Sequence, residues 1–348
     1  MKLTRNALCC AVATSMLLPL TSLPAFAAKQ AALEEVIVTA RKREESIQDV
    51  PVSMTAFSGE KLDNAGYSDV ASLSSVTPNL EMNSVGPTAT FTYVRGIGTR
   101  RIDSGVDQSV GTFVDGLYRG RAYTTNTDLL MVERVEVLKG PQGTLYGKNT
   151  VGGAISITTR EPDLEAWSGQ FRYEPGFSGD GDDKFDNAFI SISGPILPGK
   201  IGIAAVVSRR DSDGYQTILD DDPPTGVERQ GLRGGSEDTL AGKLKLGWYI
   251  TEALDLTLGI NVSKSDSVAN AFSLNDGGNP NAQIILINPL LPRPQLVDDP
   301  RVAISDYDAQ VPYLNITTAM SRLRWQSDSI TLQWIAGWED AESLVDQD

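Results

Sequence analysis

The residue types that most often carry chemistry are scarce in this chain. Histidine is absent from all 348 residues. That removes the Ser-His-Asp triad, the Cys-His nucleophile pair, the HExxH zinc site and axial-histidine haem ligation together. The stretch Lys139 to Asn149 is glycine-rich and contains Gly147-Lys148, which invites a phosphate loop. A P-loop needs glycine where Gln142 stands, and Ser or Thr where Asn149 stands. Gly96-Ile97-Gly98 falls short of a dinucleotide fingerprint because Arg101 occupies the third glycine position. These glycines read as tight turns, with close approach to a ligand or wall as the alternative. With no assembled acid, base and nucleophile, the chain is expected to be neither an enzyme nor the holder of a permanent cofactor or metal.

A run suited to backbone pairing does stand out. Glu34, Glu35, Val36, Ile37, Val38, Thr39 and Ala40 form a short β-prone segment, followed by Arg41 to Glu45, all charged. Near a free terminus such a run can add as a strand to another protein's sheet edge, and it also suits an ordinary edge strand of the next domain. Nucleic acid is not an expected partner. The 45 acidic side chains against 30 basic ones give a net charge of −15, whereas phosphate binding needs clustered Lys and Arg.

The elements that must position these residues begin with export. Lys2 and Arg5 precede an apolar run from Ala7 to Leu20 and then Ala25-Phe26-Ala27, the anatomy of a signal peptide over residues 1–27. Both cysteines, Cys9 and Cys10, go with it, and they sit too near the start for a lipoprotein signal. No later stretch approaches the ~20 consecutive apolar residues of a membrane helix, so a membrane-spanning reading requires a β-barrel. From Val50 to Thr159 short strands, short helices and glycine turns alternate as in a small α/β domain. Val50, Val52, Met54 and Ala56 alternate as a strand, and Ser58 can cap a helix that Gly66 ends. A second short helix is predicted between Ser68 and Pro78. Asp115-Gly116 between Val110–Val114 and Leu117–Arg119 predicts a hairpin. Val135 and Val137, then Ile155 and Ile157, mark two further strands.

After Pro162 the period becomes two. Leu254, Leu256, Leu258, Ile260 and Val262 oppose Asp255, Thr257, Asn261 and Ser263; Leu240, Leu244, Leu246 and Trp248 oppose Lys243 and Lys245. Similar alternation in 167–173, 185–193, 201–209, 314–325 and 330–338 makes about seven strands. The connections 194–200, 250–253 and 326–328 are short, while 174–184, 211–238 and 265–312 are long. Short turns on one side and long loops on the other suit an outer-membrane barrel better than a soluble sandwich. Trp248, Tyr249 and Trp325 near short turns suit an interfacial belt.

In order along the chain, Glu34 to Arg41, Gln48-Asp49-Val50-Pro51-Val52, Val94-Arg95-Gly96-Ile97-Gly98, Phe113-Val114-Asp115-Gly116-Leu117-Tyr118, Val132 to Gly147 and Gly152-Gly153-Ala154-Ile155 resemble a TonB-dependent outer-membrane receptor of siderophore-receptor type. The resemblance implies a signal peptide over 1–27, a TonB-box segment over 28–45 and an α/β plug domain over 46–162. The remaining residues, 163–348, would be an incomplete antiparallel transmembrane β-barrel with about seven of about 22 strands. An odd, unclosed set of strands ending in Val345-Asp346-Gln347-Asp348 leads to the expectation of an N-terminal fragment. By the same resemblance Glu34 to Ala40 would bind the periplasmic C-terminal domain of TonB with its inner-membrane energising complex, and Arg95 and Arg134 would contact carboxylates of the wall. The other partners would be outer-membrane lipid and a small-molecule ligand, most commonly a ferric-siderophore complex, with carbohydrate or cobalamin as alternatives. A passive porin or structural barrel is the alternative of another class.

Overall fold

The computed structural model describes residues 37–39, 45–85, 89–101, 103, 105–178, 183–220, 228–268, 302–305 and 313–344. Strand β1 (Ile37–Val38) pairs antiparallel with β2 (Glu45–Ser46). β3 (Met54–Ser58) runs directly into helix α1 (Gly59–Ala65). The helix begins where the Ser58 hydroxyl accepts from the Lys61 amide and ends at Gly66, whose φ of 74° supplies the left-handed cap. The second predicted helix is a 3-10 segment, Ala71–Ser75. Ser72, Ser74 and Ser75 each bond the carbonyl three residues back, so side chains compete there with a longer helix. The expected strand from Val50 is shorter than predicted, because the ladder starts only at Met54. Val50 is buried in the core instead.

β4 (Leu80–Val85), β5 (Ala89–Val94) and β6 (Ile97–Gly98) form a small antiparallel sheet. β7 (Val110–Val114), β8 (Leu117–Arg119), β9 (Val132–Lys139) and β10 (Gly153–Thr159) join β3 in a five-stranded sheet of order β3-β9-β10-β7-β8. The β10–β7 pair is parallel and the others antiparallel. At the β7–β8 turn Asp115 and Gly116 have φ of 49° and 84°, the doubly positive geometry that matches the twist of a two-residue hairpin. A short helix α2 (Gly143–Tyr146) occupies the glycine-rich bend. Leu62, Leu73, Val94, Val110, Val135, Val137 and Ile155 fill the core between these elements.

The second half is a larger sheet. Its strands in chain order are β11 (Ser168–Ser178), β12 (Asp183–Leu197), β13 (Ile201–Ser212), β14 (Gln216–Asp220), β15 (Glu228–Gly234), β16 (Glu237–Thr251), β17 (Leu254–Ser267), β18 (Val302–Ser305), β19 (Tyr313–Gln326) and β20 (Thr331–Leu344). Seven of them pair antiparallel in the order β11-β12-β13-β16-β17-β19-β20, so the seven alternating segments are all present and the sheet is not closed on itself. Two expected long connections differ. Strand pairing carries β11 to Ser178 and resumes at Asp183, with Pro175 opposite Asp186 and Gly176 opposite Phe185. Pro175 is tolerated because β11 is a margin strand with a free side. The connection 211–238 contains β14 and β15, which join β18 in a three-stranded sheet. Thr217-Ile218-Leu219 is a β-prone run hidden within a segment rich in Asp, Gly and Pro.

Burial decides between wall and sandwich. Along β17 the polar residues are the covered ones: Asp255 is 8% and Thr257 2% exposed, while Leu258 and Ile260 are 43% and 44% exposed. Phe171, Ile190, Ile192, Val207, Leu240, Leu244, Trp248, Leu323, Trp325, Leu332, Trp334 and Trp338 are likewise exposed. A soluble sandwich buries its apolar face, whereas a membrane wall turns that face to lipid. The polar face instead covers the α/β domain.

Candidate functional site

The seam between the α/β domain and the wall is built by strand register. Lys245, Gly259, Met320 and Gly337 lie directly across from one another on β16, β17, β19 and β20. Two residues along, Lys243, Asn261, Thr318 and Glu339 form the next tier. Because side chains alternate, both tiers face the same way. Small residues let the inner domain approach: a Cβ on Gly202 would lie 2.8 Å from the Asp163 carbonyl oxygen and 2.9 Å from Pro162.

Charged side chains close the seam. Lys245 is nearly fully buried; its Nζ donates to the Thr159 carbonyl and to Glu161 Oε1, each at 3.2 Å, and lies 3.5 Å from Asp115. Arg322 Nη2 donates to the same Glu161 oxygen at 2.9 Å and to Thr257 at 2.8 Å. Arg119, 3% exposed, places Nη2 2.9 Å from the Thr318 hydroxyl and Nη1 3.3 Å from Glu339. Arg210 donates to Asp128 at 2.6 Å and to Glu237 at 2.9 Å, and Ser263 donates to the other Asp128 oxygen at 3.1 Å. Apolar contact continues the seam where Leu130 and Met131 meet Ala204, Val206 and Ala241. Burial by itself pushes the Asp115 carboxyl up. Lys245, Lys243 and two hydrogen bonds from Thr159 outweigh it and hold the carboxyl below its ordinary value.

A second contact sits at the N-terminal strand. Val38 is fully buried among Phe113, Leu138, Tyr146 and Ala154. The Thr39 amide donates to Glu136 Oε1 at 2.7 Å, and Arg134 bridges from that same oxygen, at 2.9 Å, to the Thr39 hydroxyl, at 3.0 Å. Two residue pairs with β2 complete the docking of β1.

Of the residues singled out from sequence, Ile37 and Val38 form this docked strand and Thr39 follows it, and Glu34, Glu35, Val36 and Ala40 lie outside the described residues, as does the segment 1–27. Arg95 sits in the β5–β6 turn and donates to Ser53 at 2.8 Å; Arg134 bonds Glu133, Glu136 and Thr39. Among the described residues neither arginine forms a hydrogen bond to the seven-stranded sheet. The seven strands present are met by Asp115, Arg119, Asp128 and Glu161, which the sequence reading did not single out as contacts. Their signal was present on the other side of the seam, in lysines and arginines set at every second position on the polar faces of β16 and β19. No cluster of metal-ligating side chains occurs among the described residues.

Residues 46–154 match the family model described as TonB-dependent Receptor Plug Domain. Residues 46–154 are thus a plug domain of the TonB-dependent receptor type. The pesticin receptor of Yersinia pestis is 32% identical to the chain over 215 residues, 60% of this chain and 30% of that protein. The vitamin B12 transporter BtuB of Photobacterium profundum is 26% identical over 198 residues, 55% of this chain and 30% of that protein. The structure of the ferric yersiniabactin uptake receptor FyuA from Yersinia pestis superposes with a TM-score of 0.62 at 25% identity, covering 84% of this chain and 41% of that one. The chain thus spans about 30% of the length of the curated relatives it matches. The α/β domain is the plug, and the seven-stranded sheet beside it is an unclosed wall whose apolar face points outward.

Proposed function

We propose that this receptor takes part in active uptake of a bulky, scarce solute across the outer membrane, and that the solute is a ferric-siderophore complex. The observation that carries the reading is the pairing of a plug held to the wall by charged side chains with a short N-terminal strand held to the plug by few bonds. A strand so placed can exchange its backbone partners for the edge of another sheet. The outer membrane holds no ion gradient, so work must arrive mechanically. In this reading residues 34 to 40 pair with the C-terminal domain of TonB, and the inner-membrane complex pulls on them. Lipid covers the outward apolar face. The iron complex is cargo, not a resident cofactor.

The likeness to a protein described as a ferric yersiniabactin uptake receptor supports iron as cargo. The likeness to a vitamin B12 transporter keeps a cobalamin-type solute as the second reading. A passive porin is disfavoured by the plug lodged against the wall. The test is Ile37→Pro. Proline removes a donor and fixes φ, so strand transfer fails. Uptake of labelled solute should fall to the level of a strain without TonB, while binding at the cell surface stays unchanged. Normal uptake would refute residues 34 to 40 as the coupling strand. Growth of a receptor-deletion strain carrying the gene, on ferric siderophores or on cobalamin, separates the two solutes.

A further inference from the structure

Along β9 the side chains of Arg134, Glu136 and Leu138 share one face, while Val135 and Val137 turn to the core on the other. The N-terminal strand lies against the first of these faces, where Leu138 and Val38 belong to one apolar cluster. Glu136 is 0% exposed, a state that glutamate adopts almost only when paired. Its Oε1 accepts from the Thr39 amide at 2.7 Å, the Thr39 hydroxyl at 3.2 Å and Arg134 Nε at 2.9 Å. Arg134 Nη2 donates in turn to the Thr39 hydroxyl at 3.0 Å. Thr39 is thus gripped at both its amide and its hydroxyl. The other Glu136 oxygen, Oε2, is buried and has no hydrogen-bond partner among the described residues.

Little else fastens β1: two residue pairs with β2 and the enclosed Val38 side chain. Pairing that short does not persist without support. The carboxylate acts in both directions. Its charge-assisted bonds to Thr39 are stronger than neutral ones, yet a buried carboxylate with an idle oxygen carries a desolvation cost that water relieves once the strand leaves. We propose that Glu136, oriented by Arg134, is a clasp that holds the N-terminal strand on the plug and out of reach of a partner sheet. The proposal rests on the reading of residues 34 to 40 as the energy-coupling strand. An amide that donates to Glu136 cannot donate to a partner strand, and Val38 enclosed among Phe113, Tyr146 and Ala154 cannot pack on a partner's surface. Docking on the plug and pairing with TonB therefore exclude one another at Val38 and Thr39. Glu136 is a positioning residue: it sets the fraction of receptor whose strand is free, and the apparent affinity for TonB scales with that fraction.

Cys9 and Cys10 are the only cysteines of the sequence and lie in the segment read as a signal peptide, so an introduced cysteine is a specific reporter. Receptor extracted from outer membranes into a neutral detergent is labelled with a maleimide at Val38→Cys, with Leu73→Cys in the plug core as control. Glu136→Ala should raise the labelling rate at residue 38 about tenfold and leave that at residue 73 unchanged. Glu136→Gln keeps an acceptor for the Thr39 amide and should raise it less. The affinity for the purified C-terminal domain of TonB should rise with Glu136→Ala by about the factor seen in labelling. Should Glu136→Ala fail to fold, Thr39→Val, which removes the hydroxyl bonds to Glu136 and Arg134, is the second variant and should raise labelling about threefold. Unchanged labelling at residue 38 would overturn the proposal. So would an equal rise at residue 73, the mark of a plug loosened throughout, or freer labelling without tighter binding in a receptor that binds TonB. If neither parent nor variant binds TonB, the coupling reading fails by itself and the labelling rates still decide the clasp.

Discussion

Glu161 receives Lys245 and Arg322 on one oxygen, with Thr257 donating to the other at 3.4 Å. Replacing it with alanine leaves two cations in a covered seam with one fewer carboxylate. Losing one member of a buried pair costs several kcal/mol, and the 28% exposure of the Glu161 side chain moderates the loss. Glu161→Ala should lower the stability of the folded receptor by about 2 kcal/mol, read from urea unfolding in detergent. Asp115 makes a pH-dependent contribution. Its folded-state pKa lies below the ordinary value of 3.8, so its stabilisation is fully present above that pH and is lost as acidification passes through the lower folded value. Asp115→Asn should therefore be less stable than the parent at neutral pH. Its unfolding midpoint should also fall less steeply as the pH drops below 3.8. Parallel curves for the two proteins would contradict this assignment.

At the scale of elements, two glycines show two different physical demands. Gly66 ends α1 at φ 74° with open space around it, so alanine there adds only backbone strain, about 1 kcal/mol. Gly153 opens β10 against β9, where a Cβ would collide with the Leu138 carbonyl oxygen and lie 3.3 Å from Val94. Backbone cannot yield as a side-chain tip can, so Gly153→Ala should cost about 3 kcal/mol and accelerate proteolysis of the plug, while Gly66→Ala does neither to that degree. Local chemistry made several elements legible. Ser58 and Gly66 frame a helix, and Asp115-Gly116 makes a hairpin, because caps and positive-φ turns are decided within a few residues. The three-stranded sheet of β14, β15 and β18 was not legible, because β18 pairs with a strand more than eighty residues earlier in the chain and local composition carries no trace of such a partner.

Across the whole molecule, the wall is an inside-out sheet with its polar face on the plug and its apolar face outward. In a bilayer, Ile260→Arg on the outward face in the middle of β17 should destabilise the receptor by about 3 kcal/mol, measured by refolding into lipid vesicles. The same change on the water-facing side of a soluble sheet would be close to neutral, so a null result would argue against a lipid-facing wall.

Period-two alternation, with its oily and wet faces, lay in the sequence because it needs only the geometry of a single strand. So did the absence of histidine and the ordered plug motifs. Which wet residues meet which plug residues did not lie there. Asp128 and Arg210, or Arg119 and Glu339, are far apart in the chain and identical in type to many solvent-facing charges. They become partners only when strand register stacks the tiers and the plug is set against them. The sequence determined which face of each strand is polar; the tertiary structure determined that this face is covered, because burial depends on what packs opposite and not on the strand's own residues.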